Sequence, residues 1–200
     1  MKGLISNQYN SKVTFVTHLR YDSDDRILNL QKILNFYSFY FPNSKFVLVE
    51  DSSSHNINFD KIKFPPKTAF YFLENSQTYH RTKALNYGMF NATTSVVVSL
   101  DTDCIVSPHS LELCFKEIET NRASIAWPYN GFFVDVSKTL HSNPNTDSNA
   151  LYDIFLKEFL AINNPTLGQT FGDLNIRCTS SMHKSVGGIV AFDRDVFRKF

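Results

Sequence analysis

The run Val96-Val97-Val98-Ser99-Leu100-Asp101-Thr102-Asp103 constrains this chain more than any other segment. Its apolar part is continuous and β-branched rather than alternating. A stretch of that kind is satisfied only when both of its faces are buried, as in the interior of a parallel sheet covered by helices. It then ends abruptly in two carboxylates one residue apart. The two-residue period of an extended chain sets Asp101 and Asp103 on one side and Thr102 on the other. Open α/β sheets bind their ligands beyond the carboxyl ends of their strands, and two carboxylates there repel each other unless a cation lies between them. Oxygen ligands of this type suit Mg²⁺ or Mn²⁺, ions that commonly carry phosphates. D-x-D also occurs in solvated turns. The buried strand in front of it favours a metal-diphosphate site, and with it an enzyme.

The rest of the chain supplies the sheet that such a strand requires. Strands are expected at Val13–Leu19, Lys45–Glu50, Thr68–Leu73 and Val96–Leu100, with a further one at Ser124–Trp127. Asp22, Ser23 and Asp24 offer N-cap chemistry for a helix whose apolar positions Ile27, Leu30, Leu34, Tyr37 and Phe41 follow helical spacing up to Pro42. A second helix is expected over Tyr79–Asn91. A third follows Ser107 as N-cap with Pro108 at its first position, striped by Leu111, Cys114, Phe115 and Ile118. The order β-α-β-β-α-β-α predicts a single α/β domain with a mostly parallel, Rossmann-like sheet flanked by helices. Residues 130–184 break the pattern. They read as an insertion or flap, with a helix at Leu151–Ile162 and an irregular stretch at Thr166–Lys184. Ser185–Phe192 returns to a strand, and Asp193 caps a last short helix.

Bulk properties exclude several classes of function. A net charge of +1 gives no electrostatic case for nucleic acid or for an anionic membrane. No apolar run approaches the roughly 20 residues of a membrane span, and residues 1–11 have no apolar signal segment. The three cysteines, Cys104, Cys114 and Cys178, show no C-x-x-C spacing and read as buried thiols of a reducing, cytoplasmic compartment. The 19 Phe residues are expected mostly in the core. Core packing is also the first reading of Trp127, with sugar stacking as its alternative.

Three further constellations accompany the D-x-D. Glu50-Asp51-Ser52 closes the second strand, where a carboxylate either accepts from a ligand N–H or serves as a turn residue. In Tyr79-His80-Arg81-Thr82-Lys83, cations at a helix start favour a phosphate, or else form a solvated basic face. Gly187-Gly188 lies within an apolar strand, where paired glycines imply close approach of a ligand or backbone, or a bulge.

Together these segments resemble the nucleotide-sugar glycosyltransferases of the GT-A fold, in particular the β-1,4-galactosyltransferases and the family 2 bacterial polysaccharide enzymes. Asp101-Thr102-Asp103 is similar to their D-x-D motif. Arg81, Lys83, Asn86 and Gly88 match the F-N-R-A-K-x-x-N-x-G segment, and Gly187, Gly188, Ala191, Arg194 and Phe197 match F-G-G-x-x-A-x-x-R-x-x-F. Thr17-His18-Leu19-Arg20 stands at the first nucleotide-contacting loop. The resemblance covers residues 13–128, as a nucleotide-sugar-binding half, and 185–200, as the start of an acceptor-side segment.

The resemblance implies a role for each position. Asp101 and Asp103 would hold Mn²⁺ or Mg²⁺, with Asp101 also facing the ribose and Asp103 bridging to the diphosphate. Asp51 would contact uracil and Arg81 the donor sugar or phosphates. Thr17, His18, Arg20, Lys83, Asn86, Thr102, Gly187 and Gly188 would complete the donor site. The implied reaction moves galactose, an N-acetylhexosamine or a similar sugar from UDP to a hydroxyl acceptor, with inversion, in polysaccharide or glycolipid synthesis at the inner face of a membrane. The family's G-W-G-x-E-D-type segment, which carries the general base, has no counterpart before Phe200. The chain is therefore expected to be truncated, and the general base is unassigned. A non-catalytic nucleotide-sugar or glycan-binding remnant and a nucleotidyltransferase are the competing readings. The absence of glycine from Thr17–Asp25 weighs against the latter.

Overall fold

A computed structural model of the chain describes residues 9–55, 62–129, 133–137, 149–150, 152–153, 170–171, 174–178 and 188–199. They fall in two compact units, one of residues 1–128 with 188–200 and one of residues 129–187.

The first unit is built on a six-stranded sheet. Its elements are β1 (Val13–Leu19), α1 (Asp24–Tyr40), β2 (Lys45–Ser52), β3 (Thr68–Glu74), α2 (Arg81–Asn91), β4 (Val96–Leu100), α3 (Pro108–Glu119) and β5 (Ile125–Ala126). The second unit adds β6 (Phe133–Val136), β7 (Thr170–Phe171) and β8 (Leu174–Cys178), after which the first resumes with β9 (Ile189–Asp193) and α4 (Arg194–Phe197). The strand order is β3-β2-β1-β4-β9-β5. β1 to β4 are mutually parallel, and β9 runs antiparallel to both β4 and β5. This is the mostly parallel α/β sheet flanked by helices that the sequence predicts. β1 and β4, the central pair, are buried along their whole length.

The two faces of the sheet are packed differently. On one, Phe15 stacks on Tyr37 of α1 at 5.0 Å and on Phe46 of β2 at 5.4 Å, and Phe41 meets Phe115 of α3 at 5.7 Å. On the other, α2 lies against Val16, Val47, Val49 and Val97 through Ala84, Leu85 and Met89. Small residues let this helix approach closely. A β-carbon at Gly88 would come within 2.4 Å of a Val16 methyl and 3.0 Å of one of Val49, so only glycine fits without displacing β1. That is the physical reason for Gly88.

Caps follow the sequence in part. Ser107 accepts from the Ser110 N–H with Pro108 at the helix start, and Asp193 accepts from the N–H groups of Asp195 and Val196. Ser23 is the N-cap of α1 but makes no capping hydrogen bond; its hydroxyl donates to Asp22 instead. Three expectations are corrected. Part of the irregular stretch 166–184 is ordered, because β7 and β8 join β6 in an antiparallel sheet of order β6-β8-β7. The last strand of the large sheet begins at Ile189 rather than Ser185, with 185–187 outside the described residues. Trp127 is 48% exposed and is no core residue; it follows β5, a two-residue strand at the edge of the sheet. Cys104 and Cys114 are buried free thiols, as expected. Residues 149–150 and 152–153 are helical, and the rest of the helix expected at Leu151–Ile162 lies outside the described residues. None of the described helices is long and apolar enough to cross a membrane.

Candidate functional site

Period-two geometry assembles the site. Val16 on β1, Val47 and Val49 on β2, and Val97 on β4 all face α2. Counting on by twos from these valines, the same face presents His18, Asp51 and Asp101 at the carboxyl ends of the three strands. α2 contributes in the same way through its own period. Arg81, Ala84, Leu85 and Gly88 recur at the spacings that share one helix face, so Arg81 heads the stripe that packs on the sheet.

Asp101 collects donors from two sides. Its Oδ1 accepts from Arg81 Nε at 3.0 Å, Arg81 Nη2 at 2.6 Å and His18 Nε2 at 3.1 Å. His18 is held in turn by a hydrogen bond between its Nδ1 and the Tyr79 hydroxyl. Burial pushes the Asp101 carboxyl upward. The bonds from His18 and Arg81 outweigh it and hold the group below the usual carboxylate range.

Residues 101–104 form a tight turn, in which the Cys104 N–H donates to the Asp101 carbonyl at 3.4 Å. Thr102 is buried and Asp103 exposed, but β4 ends at Leu100 and a turn, rather than the extended chain that the sequence predicts, sets them so. The turn is braced from two directions. The Tyr37 hydroxyl of α1 donates to the Cys104 carbonyl at 3.1 Å and accepts from the Val106 N–H at 3.2 Å. The Asp101 N–H donates to the Gly188 carbonyl at 2.8 Å. Gly188 has φ +89°, and a β-carbon there would stand 3.1 Å from Cys104 Sγ. Conformation and space both call for glycine at this position, and what lies against it is Cys104.

Donor atoms of Asp101, Asp103 and Cys104 lie within 4.8 Å of one another. Burial, and then the carboxylates of Asp103 and Asp101, push the Cys104 thiol far up. Two of the three groups offer carboxylate oxygens, a hard set that fits Mg²⁺ or Mn²⁺.

Asp51 closes the neighbouring corner and is fully buried. Its Oδ2 accepts from Asn75 Nδ2 at 2.9 Å and from the His80 N–H at 3.1 Å, and pairs with Arg20 at 3.5 Å. Its Oδ1 is buried without a hydrogen-bond partner, as is the Ser52 hydroxyl. Arg20 donates to three backbone carbonyls, those of Asp51 (2.8 Å), Gln77 (2.8 Å) and Asn75 (3.2 Å). Its guanidinium also lies 5.5 Å from the centre of the Tyr79 ring. A cleft of about 100 Å³ opens here, lined by Arg20, Tyr21, Ser52, Ser53, Asn75 and Ser76.

The residues singled out in the sequence thus part company. His18, Asp51, Arg81, Asp101, Asp103 and Gly188 converge on one end of the sheet. Arg20 is there too, but its donors are spent on the protein. Thr17 is buried on the opposite face of β1, its hydroxyl without a partner. Lys83 and Asn86 are exposed and off the stripe that carries Arg81, and Gly187 lies outside the described residues. The sequence assigns no site role to Tyr37, Asn75 or Tyr79. Tyr37 was legible only as one more apolar helix position, and its hydroxyl role follows from which loop happens to pass over it.

A mostly parallel α/β sheet with paired carboxylates past a central strand is the framework of nucleotide-sugar enzymes of the GT-A type. The chain belongs to glycosyl transferase family 2, whose model matches residues 25–199. No curated protein matches it in sequence. Solved structures similar to it include the mannosyltransferase PcManGT from Pyrobaculum calidifontis in complex with GDP-Man and Mn²⁺, at 16% identity over 96% of this chain and 47% of that one, with a TM-score of 0.43. TarS from S. aureus is 12% identical over 90% of this chain and 59% of its own, with a TM-score of 0.43. Glucosyl-3-phosphoglycerate synthase from M. tuberculosis is 10% identical over 96% and 61%, with a TM-score of 0.44. This chain therefore spans 47% to 61% of the length of those three.

Proposed function

We propose that this chain carries the donor site of a metal-dependent glycosyltransferase that moves a sugar from UDP to a hydroxyl acceptor. One observation carries the reading: Asp101, Asp103 and Arg81 meet at the carboxyl end of a central parallel strand. Asp103, with Asp101, would hold a Mn²⁺ or Mg²⁺ ion, which when bound would supply Lewis-acid stabilisation to a diphosphate leaving group. Arg81, at the start of α2 and exposed on one side, adds a cation beside the positive end of a helix.

The choice of UDP rests on Asp51. Its Oδ2 already takes two donors, which leaves Oδ1 as one buried acceptor. A uracil ring offers a single imide N–H to such an acceptor. Guanine offers two parallel donors, which need both oxygens of a carboxylate. Galactose or an N-acetylhexosamine as the sugar, a polysaccharide or glycolipid as the acceptor, and inversion at the anomeric carbon come from the sequence resemblance alone. Calorimetric titration with UDP, GDP and ADP in the presence of Mn²⁺ tests the reading. Binding of UDP at least about tenfold tighter than GDP, a difference of about 1.4 kcal/mol, is expected. Equal binding of all three would overturn the uracil assignment, and binding of none would overturn the donor site.

A further inference from the structure

Among the described residues, His18 is the donor to Asp101 that cannot readily leave it. Arg81 is 45% exposed on a helix start, so an arriving anion can draw its guanidinium away. The His18 side chain is 8% exposed and rises from the central strand β1. Its ring packs against that of Tyr79, with centroids 5.6 Å apart. The hydrogen-bond roles are fixed by elimination. An ionised Asp101 only accepts, so Nε2 must carry the proton that faces it. In the neutral ring Nδ1 is then the acceptor and the Tyr79 hydroxyl donates to it; in the doubly protonated ring that hydroxyl accepts. Either way the Tyr79–His18 pair presents an N–H to Asp101 Oδ1 and restrains that oxygen. Among the described residues Asp103 has no comparable restraint, only a 3.5 Å contact from the Cys104 thiol.

We propose that His18, oriented by Tyr79, is the positioning residue that holds Asp101 ready for the metal and nucleotide when Arg81 is drawn towards the diphosphate. This rests on the donor-site reading above. Groups that orient a metal-binding side chain from behind typically contribute about tenfold or more to metal affinity. A carboxylate released from His18 would have to be ordered anew on every binding event.

The test is a titration of Mn²⁺ into the chain with UDP in excess, the free ion being counted by electron paramagnetic resonance, with thermal melts on each variant. His18→Phe, which keeps an aromatic ring and removes the donor, is expected to weaken Mn²⁺ binding about tenfold. His18→Gln, whose amide N–H can reach Asp101, should recover most of it. Tyr79→Phe leaves the imidazole in place but removes its orienting hydroxyl, and should give a smaller loss of several-fold. If His18→Phe does not fold, Tyr79→Phe decides: unchanged binding there overturns the inference. So does a His18→Phe chain that binds Mn²⁺ as the unaltered chain does, or a His18→Gln chain as weak as His18→Phe, since the role would then be packing. In those cases the donor site stands. No Mn²⁺–UDP binding by the unaltered chain removes both.

Discussion

The corner at the ends of β1 and β2 and the turn after β4 lie side by side and are built on opposite principles. In the corner, polar groups are spent on the protein. Arg20 satisfies three carbonyls, and Asp51 ties down Asn75 and the backbone at His80. What remains is a single buried oxygen, Asp51 Oδ1, and a hydroxyl, that of Ser52. In the turn, Asp101 is gripped from behind while Asp103, two residues on, stands exposed. The corner is closed around one remaining buried acceptor, whereas the turn presents an exposed carboxylate. The corner fixes the path of the 75–80 loop and so the start of α2, and the turn keeps one carboxylate free for a ligand.

The comparison breaks most visibly at Asp51. Asp51→Ala removes the acceptor of Asn75 Nδ2 and of the His80 N–H and empties a fully buried position, and is expected to cost about 2 kcal/mol of stability, read as a lower midpoint in urea. Gly188→Ala acts on the brace between turn and sheet. With φ at +89° and Cys104 close by, it should cost about 1–2 kcal/mol and weaken Mn²⁺–UDP binding, because the Gly188 carbonyl holds the Asp101 N–H.

Acid sharpens the contrast at a smaller scale. The Asp101 carboxyl is held below its ordinary range in the folded chain. Its contribution to stability is therefore fully present above the unfolded value and is lost as pH falls through the folded one. Urea midpoints followed from about pH 5 to about pH 2 should fall less steeply in Asp101→Asn than in the unaltered chain. The smallest effect is expected at Asp103, whose replacement by Ala should leave stability within about 0.5 kcal/mol.

Much of the large sheet was legible because its strands are strongly apolar and its helices punctuated. Val13–Leu19 and Val96–Leu100 coincide with β1 and β4 to the residue, and Ser107-Pro108 and Asp193 mark real helix starts. The strands of the second unit were missed. β7 is two residues long, and Leu174–Cys178 carries Asn and Arg between its apolar positions, too short a run to declare a period. At the site, alternation reaches Asp101 from Val97, but residues 102–103 lie in a turn that period two does not describe. Arg81 and Lys83 are neighbours in sequence, but a helix turns them to different faces, and only Arg81 shares the i, i+3, i+4, i+7 stripe with Ala84, Leu85 and Gly88 that packs on the sheet. Arg20 carries no local signal of its fate. Its three carbonyl partners come from the end of β2 and from the loop after β3, brought together by the parallel register of β1, β2 and β3.

The most direct measurement is calorimetric titration of UDP into the unaltered chain and into Asp103→Ala, each with and without Mn²⁺. The account predicts binding that requires the metal in the unaltered chain and is lost in the variant, while both chains melt alike. Binding by Asp103→Ala equal to that of the unaltered chain, or binding indifferent to Mn²⁺, would contradict it.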